Sequence, residues 1–303
     1  MRFLVFEHPV VELLTEVSME LKVNDVEGCD YPHCKSQRRY RVALSIAGSD
    51  SSGGAGVQAD LKTFSALGVY GATAITAITV QDTRGVQAVH AVPSDVVAGQ
   101  IRAVMDDLCP QVVKIGMVND AGTVCAIASV LKHYPQATII CDPVMISTSG
   151  HRLIAEEAVE MVKAELFPLC SLITPNLREA EALVEKPFDT LDDMKAQISL
   201  LRQWGNYAVL LKGGHLDGDD MTDLLLMPDA DEPLLFQSEK VDSPNTHGTG
   251  CTLSSAIASL VAQGHSLPEA IRQAKLYVTE AIRQGADVRV GHGHGPLNHL
   301  SRS

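Results

Sequence analysis

The chain has 303 residues, with 24 lysines and arginines against 37 aspartates and glutamates, and a formal net charge of −13. This acidic balance argues against a bulk binder of nucleic acid or of an anionic membrane surface, and no uncharged apolar run of about 18 residues marks a membrane span. The length suits one large α/β domain or two small ones, with a core that needs no covalent staples.

Residues 1–40 differ in character from the rest of the chain. They mix apolar and charged residues without a regular period, allow one short amphipathic helix near 10–21, and end in the basic stretch Lys35-Ser-Gln-Arg-Arg39. The first residues are charged too soon for a secretory signal, so a cytoplasmic protein with reduced thiols is expected. The seven cysteines are odd in number and scattered. Cys125, Cys141 and Cys170 sit among apolar residues and are expected in the core. Cys29, His33 and Cys34 lie close together, but no second ligand pair completes a zinc pattern.

From Arg41 the pattern becomes regular. An apolar strand at 42–47 meets the glycine-rich loop Gly48-Ser-Asp-Ser-Ser-Gly-Gly-Ala-Gly56, and a helix comes next with Val57, Leu61, Phe64 and Leu67 on one face. A second strand is expected at 70–80, a loop around 81–85, and a helix from Pro93 carrying Val97, Ile101, Val104 and Leu108. Strands at 112–115 and 137–141 flank a helix reaching Leu131. Then come a helix at 156–166, a strand at 171–174, and helices from Pro175 and from Asp189 to Trp204. A strand at 207–211 precedes Lys212, and short strands near 222–227 and 234–237 read as an antiparallel hairpin. Ser266-Leu-Pro-Glu269 has the form of a capping box opening a last long helix to about Gly285.

Strands that are near-continuous apolar runs, alternating with helices, predict a three-layer α/β/α fold with a mostly parallel sheet covered on both faces. Ligands of such a sheet gather beyond the carboxyl ends of the strands. Gly48, Gln81, Met117, Asp142, Asn176, Glu179 and Lys212 all fall at those ends. The turn Thr246-His-Gly-Thr-Gly250 opens a helix; the amides at Gly248, Thr249 and Gly250 are expected to form an anion site, the alternative being a helix cap that binds nothing, and Cys251 stands at the helix start, where a lowered thiol pKa is expected. There is no Gly-x4-Gly-Lys phosphate loop, and the glycine spacing at 48–56 is not that of a dinucleotide fingerprint. Asp142 and Glu179 together could serve a magnesium ion. Asp142 could equally be a turn residue before Pro143, and Glu179 the reciprocal partner in a helix cap begun by Asn176. Lys212 fits a phosphate contact or an ordinary exposed lysine, and His247 is expected to hold its loop rather than act as a base.

Several segments together resemble the bacterial hydroxymethylpyrimidine/phosphomethylpyrimidine kinases of the ribokinase-like superfamily. They are Ala47-Gly-Ser-Asp-Ser-Ser-Gly-Gly-Ala-Gly-Val-Gln-Ala-Asp-Leu-Lys62, Lys114-Ile-Gly-Met117, Asp142-Pro-Val-Met145, Thr174-Pro-Asn176, Lys212-Gly-Gly-His215, Asn245-Thr-His-Gly-Thr-Gly-Cys-Thr-Leu253 and Val290-Gly-His-Gly. The resemblance spans about residues 41–300. It implies a kinase domain over 41–303 after an extension at 1–40, a homodimer, and use of ATP and magnesium. The implied reactions are phosphorylation of 4-amino-5-hydroxymethyl-2-methylpyrimidine and then of its monophosphate, in thiamine biosynthesis. It assigns Gln81 and Met117 to the pyrimidine pocket, with Gly48, Asp60 and Val144 beside them. It places Asp142 and Glu179 at the metal, and Lys212 and Asn176 with Glu179 at the nucleotide phosphates. The Gly248–Cys251 turn becomes the anion hole, and Cys251 stands where sugar kinases of the superfamily carry an aspartate base. Asp82 stands where the close bacterial pattern has asparagine. A pyridoxal kinase, and a non-catalytic regulator that keeps the pocket, are the competing expectations.

Overall fold

The computed structural model describes residues 39–145, 153–214 and 220–300. The expected helix at 10–21, the Cys29/His33/Cys34 group and His215 lie outside the described residues.

One nine-stranded sheet organises the chain. In chain order its strands are β1 (Val42–Ser49), β2 (Tyr70–Asp82), β3 (Gly85–Ala91), β4 (Val112–Ile115), β5 (Thr138–Cys141), β6 (Leu172–Ile173), β7 (Ala208–Leu211), β8 (Asp220–Leu226) and β9 (Leu234–Glu239). They lie side by side as β3-β2-β1-β4-β5-β6-β7-β8-β9. The six neighbours β2-β1-β4-β5-β6-β7 run parallel, while β3 pairs antiparallel with β2 at one edge and β8 and β9 run antiparallel beyond β7. The helices are α1 (Gly56–Ala66), α2 (Ser94–Leu108), α3 (Ala121–Leu131), α4 (Glu156–Met161), α5 (Leu177–Val184), α6 (Leu191–Gln197), α7 (Thr249–Ala262) and α8 (Leu267–Gly285).

The period of two along each central strand builds two cores. Leu44, Ile46, Val113, Ile115, Ile139 and Ile173 face one side, where Val97 and Ile101 of α2 and Val124 and Ile127 of α3 cover them. Ala43, Val112, Ile140, Leu172 and Leu210 face the other, against Phe64 of α1, Leu253 and Ile257 of α7, and Ile271 and Val278 of α8. Both faces are therefore dry, which is why β4 and β7 are buried along their whole length.

Several local expectations are corrected. β3 lies after the expected loop, where no element was assigned: its residues from Gln87 to Ala91 are exposed, so it carries no apolar alternation to betray it. Cys125 is exposed on α3, whereas Cys141 and Cys170 are buried. Ser266 caps α8 by backbone conformation alone, because Glu269 is taken by Arg272 and Gln273. The helix expected from Asp189 to Trp204 is capped by Thr190 and changes to a 3-10 turn at Ile198. The 156–166 segment is α-helical to Met161 and then widens to a π-helical turn at Val162–Leu166.

Candidate active site

The carboxyl ends of β1, β5, β6 and β7 meet the amino end of α7. Asp142 comes directly after β5 and is almost fully enclosed. Its Oδ1 accepts from Thr174 Oγ1 at 3.0 Å and from Lys212 Nζ at 2.8 Å, and its Oδ2 accepts from Ser254 Oγ at 3.3 Å. Burial alone would protonate it; the Lys212 and Lys114 ammonium groups and these bonds hold its pKa below the usual carboxylate range. Burial opposes charge on Lys212 too, but the Asp142 carboxylate keeps its ammonium form favoured. A Cβ placed on Gly250 would stand 3.6 Å from both Asp142 Oδ2 and Lys212 Nζ, so the first turn of α7 presents its backbone to that pair.

Glu179 takes the cap role that the sequence allowed. Asn176 caps α5 by accepting from the Glu179 amide at 2.9 Å, and Glu179 Oε2 accepts from the Asn176 amide at 2.8 Å. The same carboxyl is buried close to Asp142 and Lys212. Burial raises its pKa, Lys212 opposes, and the Asp142 charge adds to the rise, leaving it at about 7. The Asp142 and Glu179 carboxylates and the Lys212 ammonium thus share one buried region beside the first turn of α7. Among the described residues no cluster of three or more ligating side chains forms a self-sufficient metal cage.

The anion turn is locked to the glycine loop after β1. Gly248 adopts a φ of 84°, and a Cβ there would fall 1.9 Å from the Gly54 carbonyl oxygen. Asp50 organises the opposite side. Its carboxylate accepts from the amides of Ser52, Gly54 and Ala55, and His247 Nε2 lies 2.8 Å from its Oδ2. Burial pushes the Asp50 pKa up, but the His247 and Ser52 bonds and the amides outweigh it and bring the value to about 2. His247 thus holds the loop, as its sequence position implied.

Cys251 corrects the sequence rule. It begins the first turn of α7, and the Gly56 amide bonds to its thiol, yet its pKa is raised to about 11. Burial is the main cause; Lys114 opposes it, but the Asp60 and Asp142 carboxylates add to the rise. The helix-start effect is overridden by desolvation and two nearby negative charges.

Asp60, expected beside the pyrimidine pocket, is fully buried. Both its oxygens lie 2.9 Å from Lys114 Nζ, Ser45 Oγ donates to Oδ2 and Ser255 Oγ to Oδ1. This pair joins β1, β4, α1 and α7 directly behind the anion turn. Desolvation works against the Lys114 charge, and the Asp60 carboxylate restores it and raises the Lys114 pKa. Lys114, Thr174 and Ser254, which touch this cluster, carried no role in the sequence reading, and Asp50 was only placed at the strand ends. A lysine inside a strand buried on both faces was the available signal for Lys114.

The other expected pocket residues lie on the β1–β2 side. Met117 is buried, and a Cβ on Gly48 would meet its sulfur at 3.0 Å, so Gly48 is small to let Met117 in. Val144 is half-buried, with its amide bonded to the Asp142 carbonyl at 2.8 Å. The Gln81 amide lies 3.2 Å from Thr79 Oγ1 and 3.3 Å from His247 Nε2. Thr79 gives its hydroxyl hydrogen to the Ser49 carbonyl. With the His247 hydrogen shared toward Asp50, every group is paired when the Gln81 NH2 faces Thr79 and its oxygen faces His247. A β-bulge at Val80/Gln81 turns Gln81 relative to the rest of β2.

A family model described as phosphomethylpyrimidine kinase matches residues 50–298. A hydroxymethylpyrimidine/phosphomethylpyrimidine kinase of Rhizobium meliloti is 47% identical over 262 residues, covering 86% of this chain and 97% of that one. The crystal structure of a Clostridium difficile phosphomethylpyrimidine kinase superposes with a TM-score of 0.70 at 45% identity, over 80% of this chain and 99% of that one. A Staphylococcus aureus pyridoxal kinase in complex with AMP-PCP and pyridoxal gives 0.77 at 31% identity, over 86% and 94%.

Proposed function

Because the chain belongs to the phosphomethylpyrimidine kinase family, we propose that it transfers the γ-phosphoryl group of ATP to the hydroxymethyl oxygen of 4-amino-5-hydroxymethyl-2-methylpyrimidine. A second transfer, to the resulting monophosphate, takes place at the same site. The observation that carries this reading is the meeting of the Gly250 backbone, Asp142 and Lys212 at one point beyond the strand ends. Phosphoryl transfer asks for alignment and for a field that stabilises spreading negative charge, and little else. The amides of Gly248, Thr249 and Gly250 and the Lys212 ammonium provide that field. Asp142 and Glu179 would hold magnesium, which would neutralise phosphate charge. Gln81 offers both a donor and an acceptor, matching a ring nitrogen next to an exocyclic amine, and Met117 supplies an apolar wall. Cys251 is neutral at rest, so it is not a preformed base. A proton leaving the alcohol late, in a loose transition state, needs only a weak acceptor. A cytoplasmic homodimer goes with this reading. The described cysteines form no disulfide, and Ile78, Val80 and Val89 of the β2–β3 hairpin are exposed apolar side chains available to a second copy.

The deciding experiment is single-turnover phosphorylation of the pyrimidine alcohol, its monophosphate and pyridoxal in parallel, with saturating ATP and magnesium. Turnover of both pyrimidines ahead of pyridoxal is expected. Because the Cys251 thiol is neutral at rest, Cys251→Ala should slow the alcohol step by less than about 10²-fold, the low end for general-base assistance, and the phosphate step less still. Preference for pyridoxal would overturn the substrate assignment, and equal slowing of both steps would make Cys251 a packing residue.

A further inference from the structure

We propose that the glycine-spaced segment Gly291-His-Gly-His-Gly295 is a strap that fixes the acceptor side of the site, with Thr83 and Gly293 as positioning residues acting through Gln81. The proposal rests on the kinase reading above. Gln81 is the penultimate residue of β2, and the turn at Thr83 and Arg84 leads directly into β3. That hairpin is the edge of the sheet, since β3 pairs with β2 and with no other strand among those described.

The strap grips the hairpin tip at one end and the anion loop at the other. The His292 and Gly293 amides donate to Thr83 Oγ1 at 3.2 and 3.0 Å. The Gly295 amide donates to Asn245 Oδ1 at 3.1 Å, and the His247 amide donates to the Gly295 carbonyl at 3.2 Å. Asn245 is anchored in turn, its Nδ2 donating to the carbonyls of Gly285 and Val288 at 2.7 Å each. One short segment therefore bridges the hairpin tip that follows Gln81 and the loop that carries His247 and the anion turn. The direct approach of Gln81 to His247, at 3.3 Å, is the contact this separation controls.

The alternation of glycine and histidine has a geometric cause. A Cβ at 293 would lie 2.1 Å from the Thr83 carbonyl oxygen and 2.7 Å from the Arg84 nitrogen, both backbone atoms that cannot swing away. At 291, where φ is 73°, it would lie 2.4 Å from Thr83 Oγ1, and at 295 it would lie 2.3 Å from Asn245 Oδ1. The intervening histidines are exposed. Substrate selection by Gln81 thus depends on residues more than two hundred positions away that need not touch substrate.

The test pairs Gly293→Ala with Thr83→Val, and uses Thr83→Ser, which keeps the accepting oxygen, as the conservative rescue. The KM for the pyrimidine alcohol should rise about 3- to 10-fold in Gly293→Ala, the range for one misplaced neutral hydrogen bond, with the KM for ATP nearly unchanged. Thr83→Val should shift in the same direction, and Thr83→Ser should stay near wild type. In a Gln81→Ala background Gly293→Ala should add nothing further. Amide hydrogen exchange at residues 79–86 should quicken in Gly293→Ala, a readout independent of turnover. An unchanged acceptor KM, additivity with Gln81→Ala, or equal losses for both substrates would overturn the strap. If the wild type phosphorylates no pyrimidine, the kinase reading fails on its own. The exchange data then decide the strap, and unaltered exchange at 79–86 would overturn it.

Discussion

Glu179 is the residue whose two duties conflict. It closes the cap of α5, for which a neutral amide would serve as well, and it sits ionisable and buried beside Asp142. Its ordinary pKa is 4.5 and its folded value about 7. The folded state therefore holds the proton more tightly, and the free enzyme loses stability as pH rises from about 4.5 through about 7. Below that window the group contributes nothing; above it the whole penalty is present. Glu179→Gln should keep the cap and remove the penalty. Without ligands the variant should be more stable than wild type at pH 8, by up to about 3 kcal/mol, with the difference vanishing near pH 4. Thermal melts across that range measure it, and a variant less stable at every pH would refute the assignment. Its phosphoryl transfer should nevertheless fall, since the cation loses a ligand. Cys251 makes the same point from the other direction. A helix start is visible in sequence, but the burial of the thiol, the main influence, and the Asp60 and Asp142 charges that add to it are tertiary facts. They decide the thiol.

Among the elements, the turn into α7 has the least freedom. Gly248→Ala would place a Cβ against the Gly54 carbonyl oxygen and force a side chain into left-handed backbone. The backbone strain alone is about 1–3 kcal/mol, and relief of the clash must separate the two loops. Both phosphorylation steps should be damaged together, in contrast to Cys251→Ala, and rapid-quench measurement of each step will show it. Retained rates would mean that the amides here are not the anion hole. Legibility in sequence varies with an element's surroundings. β1, β4, β5 and β7 announce themselves because they are dry on both faces and hence continuously apolar. β3 is silent, because an edge strand with exposed side chains is under no such constraint. β6 is just two residues long. Helix caps are local and cheap to replace, so Asn176 and Glu179 use theirs while Ser266 does not.

For the whole molecule, the alternation of strands and helices predicts the layers, and the layers gather the strand-end residues. They do not reveal what a buried side chain bonds to: Asp60, on α1, is taken up by Lys114, Ser45 and Ser255. The family match covers residues 50–298 and leaves the first forty residues outside it. On the expectation that residues 1–40 are an extension to the kinase domain, deleting residues 1–38 should leave a soluble, active enzyme with kcat within about twofold of the full chain. Steady-state kinetics and sedimentation of the truncated protein check this. Loss of the dimer or of folding would mean that the extension packs on the domain.

The burial of α7 also has a meaning in time. This helix lies between α1, α8 and the central strands, with nearly all of its residues out of solvent. The strands it covers, from β1 to β7, are synthesised well before it. During translation one face of the sheet, Ala43, Val112, Ile140 and Leu210 among its residues, is covered only in part, by α1, until residues 249–278 emerge. The anion turn, the covering of that face and the strap that spaces Gln81 from His247 all belong to the same late stretch of chain. A ribosome-bound intermediate that has formed its sheet is therefore both apolar on one side and without a phosphate site, and the step that hides the first defect repairs the second.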